Sequence, residues 1–211
     1  MHEILTHALT VFMGFFAIMN PIANTPIFLS VTEDDDPTIQ RAVARRAIML
    51  TYVIIAVFVY AGNAVFKVFG ISVEALSITG GIVILAIGYK MIQGEAARAQ
   101  HPKKPGEPIK LDGELDKAVS PLAMPILAGP GTIVTAMSLS TGGTENRLTT
   151  VCVFAILCLL TYICFVNAER LVKYLGHQGM GVITRLMGLI LAAIGVQMVI
   201  GAVTQLLKAG A

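Results

Sequence analysis

Two short segments inside long apolar runs combine prolines with small polar residues. One reads Asn-Pro-Ile-Ala-Asn-Thr-Pro over residues 20–26, and the other reads Met-Pro-Ile-Leu-Ala-Gly-Pro over residues 124–130. A proline lacks the N–H that a carbonyl one turn earlier needs, and it disfavours the α region for the residue before it. We therefore expect a helix break at each segment, with Thr25–Pro26 and Gly129–Pro130 starting the restored half-helices.

Such breaks suit a small zwitterion. The free N–H groups and positive end of a restarting half-helix favour a carboxylate, while the carbonyls of the preceding half-helix favour an ammonium group or a cation. The residues predicted to contact the solute are Asn20, Asn24, Thr25, Gly129, Gly131 and Thr132, and those predicted to shape the breaks are Pro21, Pro26, Pro125 and Pro130. A simple proline kink is the alternative, but it is less favoured because the proline pair occurs twice.

The composition indicates that helices in a membrane position these residues. Of the 211 residues, 55% are hydrophobic and 13% are charged, whereas a soluble domain carries about 25% charged residues. About 20 apolar residues in a helix cross the hydrocarbon core. Six runs are that long: residues 4–30, 47–69, 72–94, 118–140, 149–168 and 182–207. We predict an all-α membrane protein with six transmembrane helices, the first and fourth discontinuous.

The two halves of the chain resemble each other. The Pro-Ile pair with a second proline recurs at an offset of 104, and Gly81 and Gly88 align with Gly188 and Gly195 at an offset of 107. Each half holds three helices, so the second half starts on the opposite side of the membrane. The predicted organisation is an inverted pair of repeats, residues 1–94 and 118–211, joined by a cytoplasmic linker over residues 95–117. Such repeats with interrupted helices point to a secondary transporter.

The distribution of basic residues predicts the orientation. With six spans, 12 Lys and Arg residues fall on one side of the membrane and 3 on the other. Because cytoplasmic loops carry the excess of Lys and Arg, both termini are expected on the non-cytoplasmic side. The glycines of the third and sixth runs are expected to serve helix packing rather than solute binding.

Other kinds of chemistry find little support. His2, Glu3 and His7 have the wrong spacing for a metal-dependent hydrolase, so no enzyme activity and no metal site are expected. No basic patch with aromatic residues indicates nucleic-acid binding. The three cysteines recur every six residues, without the spacing of a metal or redox pair.

The acidic residues bear on coupling. A proton relay usually places Asp, Glu or His inside the spans, whereas here Glu3, Glu74, Glu169 and His177 sit at span ends. A coupling cation held by backbone carbonyls, or uncoupled movement down a gradient, is therefore favoured over proton coupling. No cofactor is predicted.

The segments at residues 20–26 and 128–132, together with the glycine-rich third helix of each half, resemble the MarC family of bacterial inner-membrane proteins. The resemblance covers nearly the whole chain. It implies six helices, both termini outside the cytoplasm, and transport of neutral amino acids. We hypothesise a secondary transporter of small polar solutes, chiefly neutral amino acids, that works by alternating access. Its expected location is the inner membrane, where membrane lipids and the solute are its expected partners. A non-coupled channel or exporter of small metabolites, or a non-transporting membrane scaffold, is the alternative function. Assembly of the protein into an oligomer is also compatible with the sequence.

Overall fold

The computed structural model describes residues 2–32, 35–68, 70, 72–94, 122–123 and 127–209. These residues form α-helices and no strand, as predicted. The helices are α1 His2–Met19, α2 Pro21–Val31, α3 Pro37–Val68, α4 Val73–Ile92, α5 Pro130–Leu139, α6 Thr144–Val166 and α7 Ala168–Ala209. The predicted linker over residues 95–117 lies outside the described residues.

By length and composition, 5 helical segments are able to cross a membrane. They are Ile4–Val31, Pro37–Gly62, Glu74–Ile92, Thr144–Val166 and Gln178–Lys208, and they correspond to the predicted first, second, third, fifth and sixth spans. The predicted fourth span is described only in part. Its last part, α5, has 10 residues, which extend about 15 Å, or half the hydrocarbon thickness.

The outer surface of these helices is apolar. On α3, Met49, Val53 and Val57 recur every four residues and are each more than half exposed. On α6, Ile156 and Leu159 are both 60% exposed. Exposed apolar stripes of this extent are rare on soluble monomers and are the expected surface toward lipid.

Helix α6 holds both parts of the interrupted first span. The rings of Phe15 on α1 and Phe154 on α6 have centroids 4.6 Å apart. The rings of Phe28 on α2 and Phe165 on α6 stack at the same centroid distance. All four side chains are buried, and each pair adds about 0.5–1.5 kcal/mol beyond its buried area. Both sides of the interruption between α1 and α2 are therefore packed against one continuous helix, α6.

Helices α4 and α7 approach each other backbone to backbone, at the glycines that the sequence assigned to packing. A Cβ placed on Gly81 would lie 2.6 Å from the carbonyl oxygen of Gly195, and one on Gly88 would lie 2.6 Å from that of Gly188. Numbers rise along α4 as they fall along α7, so the two helices are antiparallel. Only glycine permits this approach, because a side chain at any of these positions would push the helices apart.

Candidate functional site

The first predicted break is present and lies at Asn20. This residue has φ 36° and ψ 70°, in the left-handed region, and it separates α1 from α2. Asparagine tolerates that region better than most residues because its short polar side chain hydrogen-bonds locally. Here the Ala23 N–H donates to Asn20 Oδ1 at 3.2 Å, so Asn20 is the N-cap and Pro21 is the first residue of α2.

The prediction that Thr25 and Pro26 start the restored helix is wrong. Both residues lie inside α2, and the Thr25 hydroxyl donates to the Pro21 carbonyl at 2.9 Å. Asparagine and threonine both cap helices, and each precedes a proline here. The left-handed backbone at Asn20 decides between them, since threonine is β-branched and disfavours a positive φ. Helix α2 accordingly starts five residues earlier than the sequence suggested.

Side chains of the same segment satisfy its backbone. Asn24 Nδ2 donates to the carbonyl of Met19 at 2.7 Å, across the interruption. The Ala23 N–H is engaged by the Asn20 cap, so Asn24 replaces the donor that a continuous helix would have offered to Met19. Of the three predicted contact residues here, Asn24 and Thr25 therefore donate to the backbone in this structure.

The side-chain NH₂ group of Asn20, with its two donors, is unused among the described residues. The Asn20 side chain is 2% exposed, and its Nδ2 has no hydrogen-bond partner among the described residues. Leaving a buried amide unpaired costs about 1–3 kcal/mol, so it is uncommon without a reason. The group is a hydrogen-bond donor at the N-terminus of a helix, the end that attracts negative charge.

Helix α5 starts where the second restored half-helix was predicted to start. Gly129 is the N-cap of α5, with φ −71° and ψ 171°, and Pro130 is its first residue. Before it, the Ala128 N–H donates to the carbonyl of Ala123, five residues back, at 2.8 Å. Pro125, the other proline of this segment, lies outside the described residues.

Within the described part of the chain, the start of α5 has no side-chain cap. Gly129 has no side chain, so it cannot accept from the first-turn N–H groups, which include those of Gly131 and Thr132. Both of these residues are buried, with Thr132 only 1% exposed. Uncapped N–H groups at a buried helix start are ready to bind an anionic group.

The two breaks lie at the same level of the bundle. A Cβ placed on Gly14 would lie 3.9 Å from Thr135 Cγ2, and one on Gly131 would lie 3.9 Å from Ile18 Cγ2. Helices α1 and α5 therefore run antiparallel: a step of four residues forward on α1, from Gly14 to Ile18, matches a step of four residues back on α5, from Thr135 to Gly131. Continued by two residues, this register brings Gly129 to the level of Asn20. The register thus places the starts of α2 and α5 at about one level of the bundle.

A cavity that the sequence did not predict lies beside this site. It is open to the surface beside Leu9 and Met13, has a volume of about 540 Å³ and lies between α1, α5 and α7. Its polar lining residues are Thr6, Thr10, Thr135, Ser138 and Gln197. The signal was present as threonines four residues apart on α1 and as Thr135 and Ser138 three apart on α5, spacings that share one helix face.

Metal-binding clusters are not found in the described part of the chain. No group of three or more His, Cys, Asp or Glu side chains there is able to hold a metal ion. Asn20 and Gly129 also lie in segments, residues 4–32 and 118–144, that contain no Asp, Glu, Lys or Arg and whose one basic side chain is that of His7. The polar character of the site thus comes from amides, hydroxyls and backbone groups.

Long apolar helices, a lipid-type surface and an interrupted first span define a helical integral membrane protein. The family described as MarC family integral membrane protein matches residues 5–207, and the chain belongs to this family.

Related proteins match along nearly their full length. The chain is 40% identical over 191 residues to the UPF0056 membrane protein YvbG of Bacillus subtilis, covering 90% of both chains. It is 34% identical over 202 residues to a UPF0056 membrane protein of Methanocaldococcus jannaschii, covering 94% of this chain and 97% of the relative. It is 29% identical over 208 residues to the UPF0056 inner membrane protein YhgN of Escherichia coli, covering 99% and 100%. No solved structure matches the chain.

Proposed function

We propose that the protein is a secondary transporter that moves small polar solutes, chiefly neutral amino acids, across the bacterial inner membrane by alternating access. One observation carries the proposal: α2 and α5 begin at about one level of the bundle, where, among the described residues, Asn20 Nδ2 has no hydrogen-bond partner and α5 has no side-chain cap. Interrupted helices within a membrane are tolerated where they are buried in protein or line a cavity.

The electrostatics of the site favour a neutral amino acid. Helix N-termini attract the carboxylate, and carbonyls freed at the end of α1 attract the ammonium group. Pro21 supplies no N–H to the Ala17 carbonyl four residues back, so that carbonyl is one such acceptor. A solute with a charged side chain would find no carboxylate, ammonium or guanidinium partner on these segments, because residues 4–32 and 118–144 contain no Asp, Glu, Lys or Arg.

The α4–α7 contact supports inverted repeats. At the offset of 107, Gly81 corresponds to Gly188 and Gly88 to Gly195. If each glycine is replaced by its equivalent in the other repeat, the pair Gly81 and Gly195 becomes the pair Gly188 and Gly88. Both pairs are in contact. Such reciprocity is expected of two units related by a two-fold axis. In inverted-repeat transporters, rocking of one repeat against the other exposes a central site to each side in turn.

The direct test is solute exchange by purified protein in liposomes. Liposomes loaded with unlabelled L-alanine should accumulate radiolabelled L-alanine, with saturation, and the experiment is repeated with and without a sodium gradient. Non-saturating conductance would indicate a channel, and no exchange of any neutral amino acid in a panel would indicate a scaffold. Either result would overturn the proposal.

A pair of matched variants tests the role of Asn20. Asn20→Asp keeps the oxygen that caps Ala23 but replaces the unpaired donor with an acceptor that repels a carboxylate. We expect about a tenfold or greater loss of exchange, the effect of losing about 1.4 kcal/mol of binding. The control is Asn167→Asp, the same change at an exposed residue between α6 and α7, which should exchange normally. Equal activity of the two variants would remove Asn20 from the site.

A further inference from the structure

The cavity between α1, α5 and α7 approaches the helix breaks without reaching them. It follows α1 from Thr6 to Gly14 and α7 from Ile194 to Met198. Gly14 precedes Asn20 by six residues, which is about 9 Å along the helix. On the orientation predicted from the basic residues, this stretch of α1 belongs to the non-cytoplasmic half of the membrane. The cavity therefore occupies the space between that side and the breaks.

Unsatisfied polar groups distinguish this cavity from a lipid-filled groove. The Thr10 hydroxyl donates to the Thr6 carbonyl at 2.9 Å, so the helix itself satisfies it. Thr135 differs, since it is 3% exposed and its Oγ1 has no hydrogen-bond partner in the described part of the chain. Polar side chains inside spans face the protein interior or a water-filled cavity, because lipid tails offer no partner.

Gln197 is a second polar side chain at the cavity without a hydrogen-bond partner among the described residues. It is exposed at the cavity wall, and no hydrogen bond of its amide is formed with the residues that the structure describes. It precedes Lys208 by 11 residues, so it lies about 16 Å from the end of α7, beyond the reach of a glutamine side chain to the headgroups. Its neighbour Val196 is 42% exposed but does not line the cavity. Gln197 thus requires a polar partner within the cavity.

The lining also bears on which solutes fit. None of the residues around the cavity carries a charge, and its other members are Leu9, Met13, Gly14, Leu139, Ile194 and Met198. At about 30 Å³ for each water, 540 Å³ has room for roughly 18 molecules, enough for a small amino acid with part of its hydration. A charged side chain would lose hydration here without meeting a counter-ion.

We infer that this cavity is a water-filled entry chamber that admits small solutes with uncharged side chains to the helix breaks, and that Gln197 and Thr135 contact the solute in it. The inference rests on the proposed function for the identity of the solute. The presence of water in the chamber does not depend on that function.

Thiol accessibility tests the chamber. Cys152, Cys158 and Cys164 are first replaced by alanine, and single cysteines are then introduced by Gln197→Cys, Ser138→Cys and the control Val196→Cys. A thiol reacts with a methanethiosulfonate reagent as its thiolate, which forms in water and not in hydrocarbon. Positions 196 and 197 share nearly the same depth, about 1.5 Å apart along the axis. We expect a membrane-impermeant reagent to modify the two lining cysteines about tenfold faster than Val196→Cys.

Each result of this experiment decides something. Uniformly slow modification at all three positions would mean a lipid-filled groove, and equal fast modification at Val196→Cys would mean that access is not confined to the cavity. Both would overturn the inference. Saturating L-alanine should slow modification of Gln197→Cys, and fast modification without such protection would remove the solute contact. Reactive lining cysteines, combined with no amino acid exchange by the protein that retains Gln197 and Ser138, would keep the chamber and reject the proposed transport. Exchange of amino acids by protein whose lining cysteines do not react would keep the proposed transport and reject the water-filled chamber.

Discussion

Gly81 on α4 and Gly195 on α7 face each other so closely that a Cβ on either would contact the carbonyl oxygen of the other, at 2.6 Å and 2.5 Å. Gly195→Ala should therefore force the two backbones apart and lower stability by about 1–3 kcal/mol, as overpacking does. The measurement is thermal unfolding of purified protein in detergent. Gly201→Ala, on the same helix with nothing within 4 Å of the added carbon, is the control and should melt no lower than the original. Equal melting of both variants would contradict the close approach.

The position of the first break distinguishes two sets of substitutions. Replacing Asn20 and Pro21 together by alanine removes the cap and restores the N–H that Ala17 lacks, so α1 and α2 should join and exchange should be lost. Pro26→Ala restores only an internal hydrogen bond of α2, so exchange should persist. Liposome uptake of L-alanine measures both. Loss of exchange in Pro26→Ala with normal exchange in the double variant would favour a functional break at Pro26 instead.

Analogues test the role proposed for the helix N-termini. If uncapped N–H groups and Asn20 bind the carboxylate, then L-alaninamide, which keeps the ammonium group but lacks the carboxylate, should compete poorly for L-alanine exchange. The expected loss is about tenfold or more, the usual scale for a hydrogen bond to a charged group. N-acetyl-L-alanine examines the ammonium end in the same assay. Full competition by L-alaninamide would show that the carboxylate is not recognised.

Labelling in intact cells tests the predicted orientation. Thr141 lies between α5 and α6, and Lys173 lies near the start of α7, and both are exposed. With the native cysteines replaced, Thr141→Cys should react with an impermeant reagent added outside, and Lys173→Cys should react only after the membrane is permeabilised. The opposite labelling pattern would show that both termini face the cytoplasm. It would contradict the orientation that we predict from the distribution of Lys and Arg.

The sequence predicted the start of α5 but not that of α2. Gly129–Pro130 offers a single arrangement, since glycine has no competing cap side chain and proline suits the first helical position. Residues 20–26 hold two pairs in which a capping residue precedes a proline, and local preference alone does not separate them. The left-handed backbone at Asn20 decides, and the aromatic contacts of Phe15 and Phe28 with α6 hold the two parts in place.

Packing faces were predicted better than cavities. Glycines seven residues apart indicated where α4 and α7 meet, because the spacing itself defines one helix face. The cavity depends instead on the distance between three helices that are remote in the chain. Gln197 is a polar residue deep in an apolar run, yet no spacing in the sequence links it to Thr135 or Thr10. That relation exists only once the helices are packed.

The bend at Gly176 affects how the protein sits at the membrane boundary. A straight helix of 42 residues would extend about 63 Å, twice the thickness of the hydrocarbon layer. At Gly176 the backbone takes φ 63° and ψ 172°, which separates the stretch Ala168–Leu175 from the apolar Gln178–Lys208. The charged residues of the first stretch need not enter hydrocarbon, and Tyr174, at 89% exposed, is of a type enriched at the headgroup level. One glycine thus separates a short charged segment from the apolar last span, so that the charged segment is free to remain at the headgroup level while the span crosses the hydrocarbon.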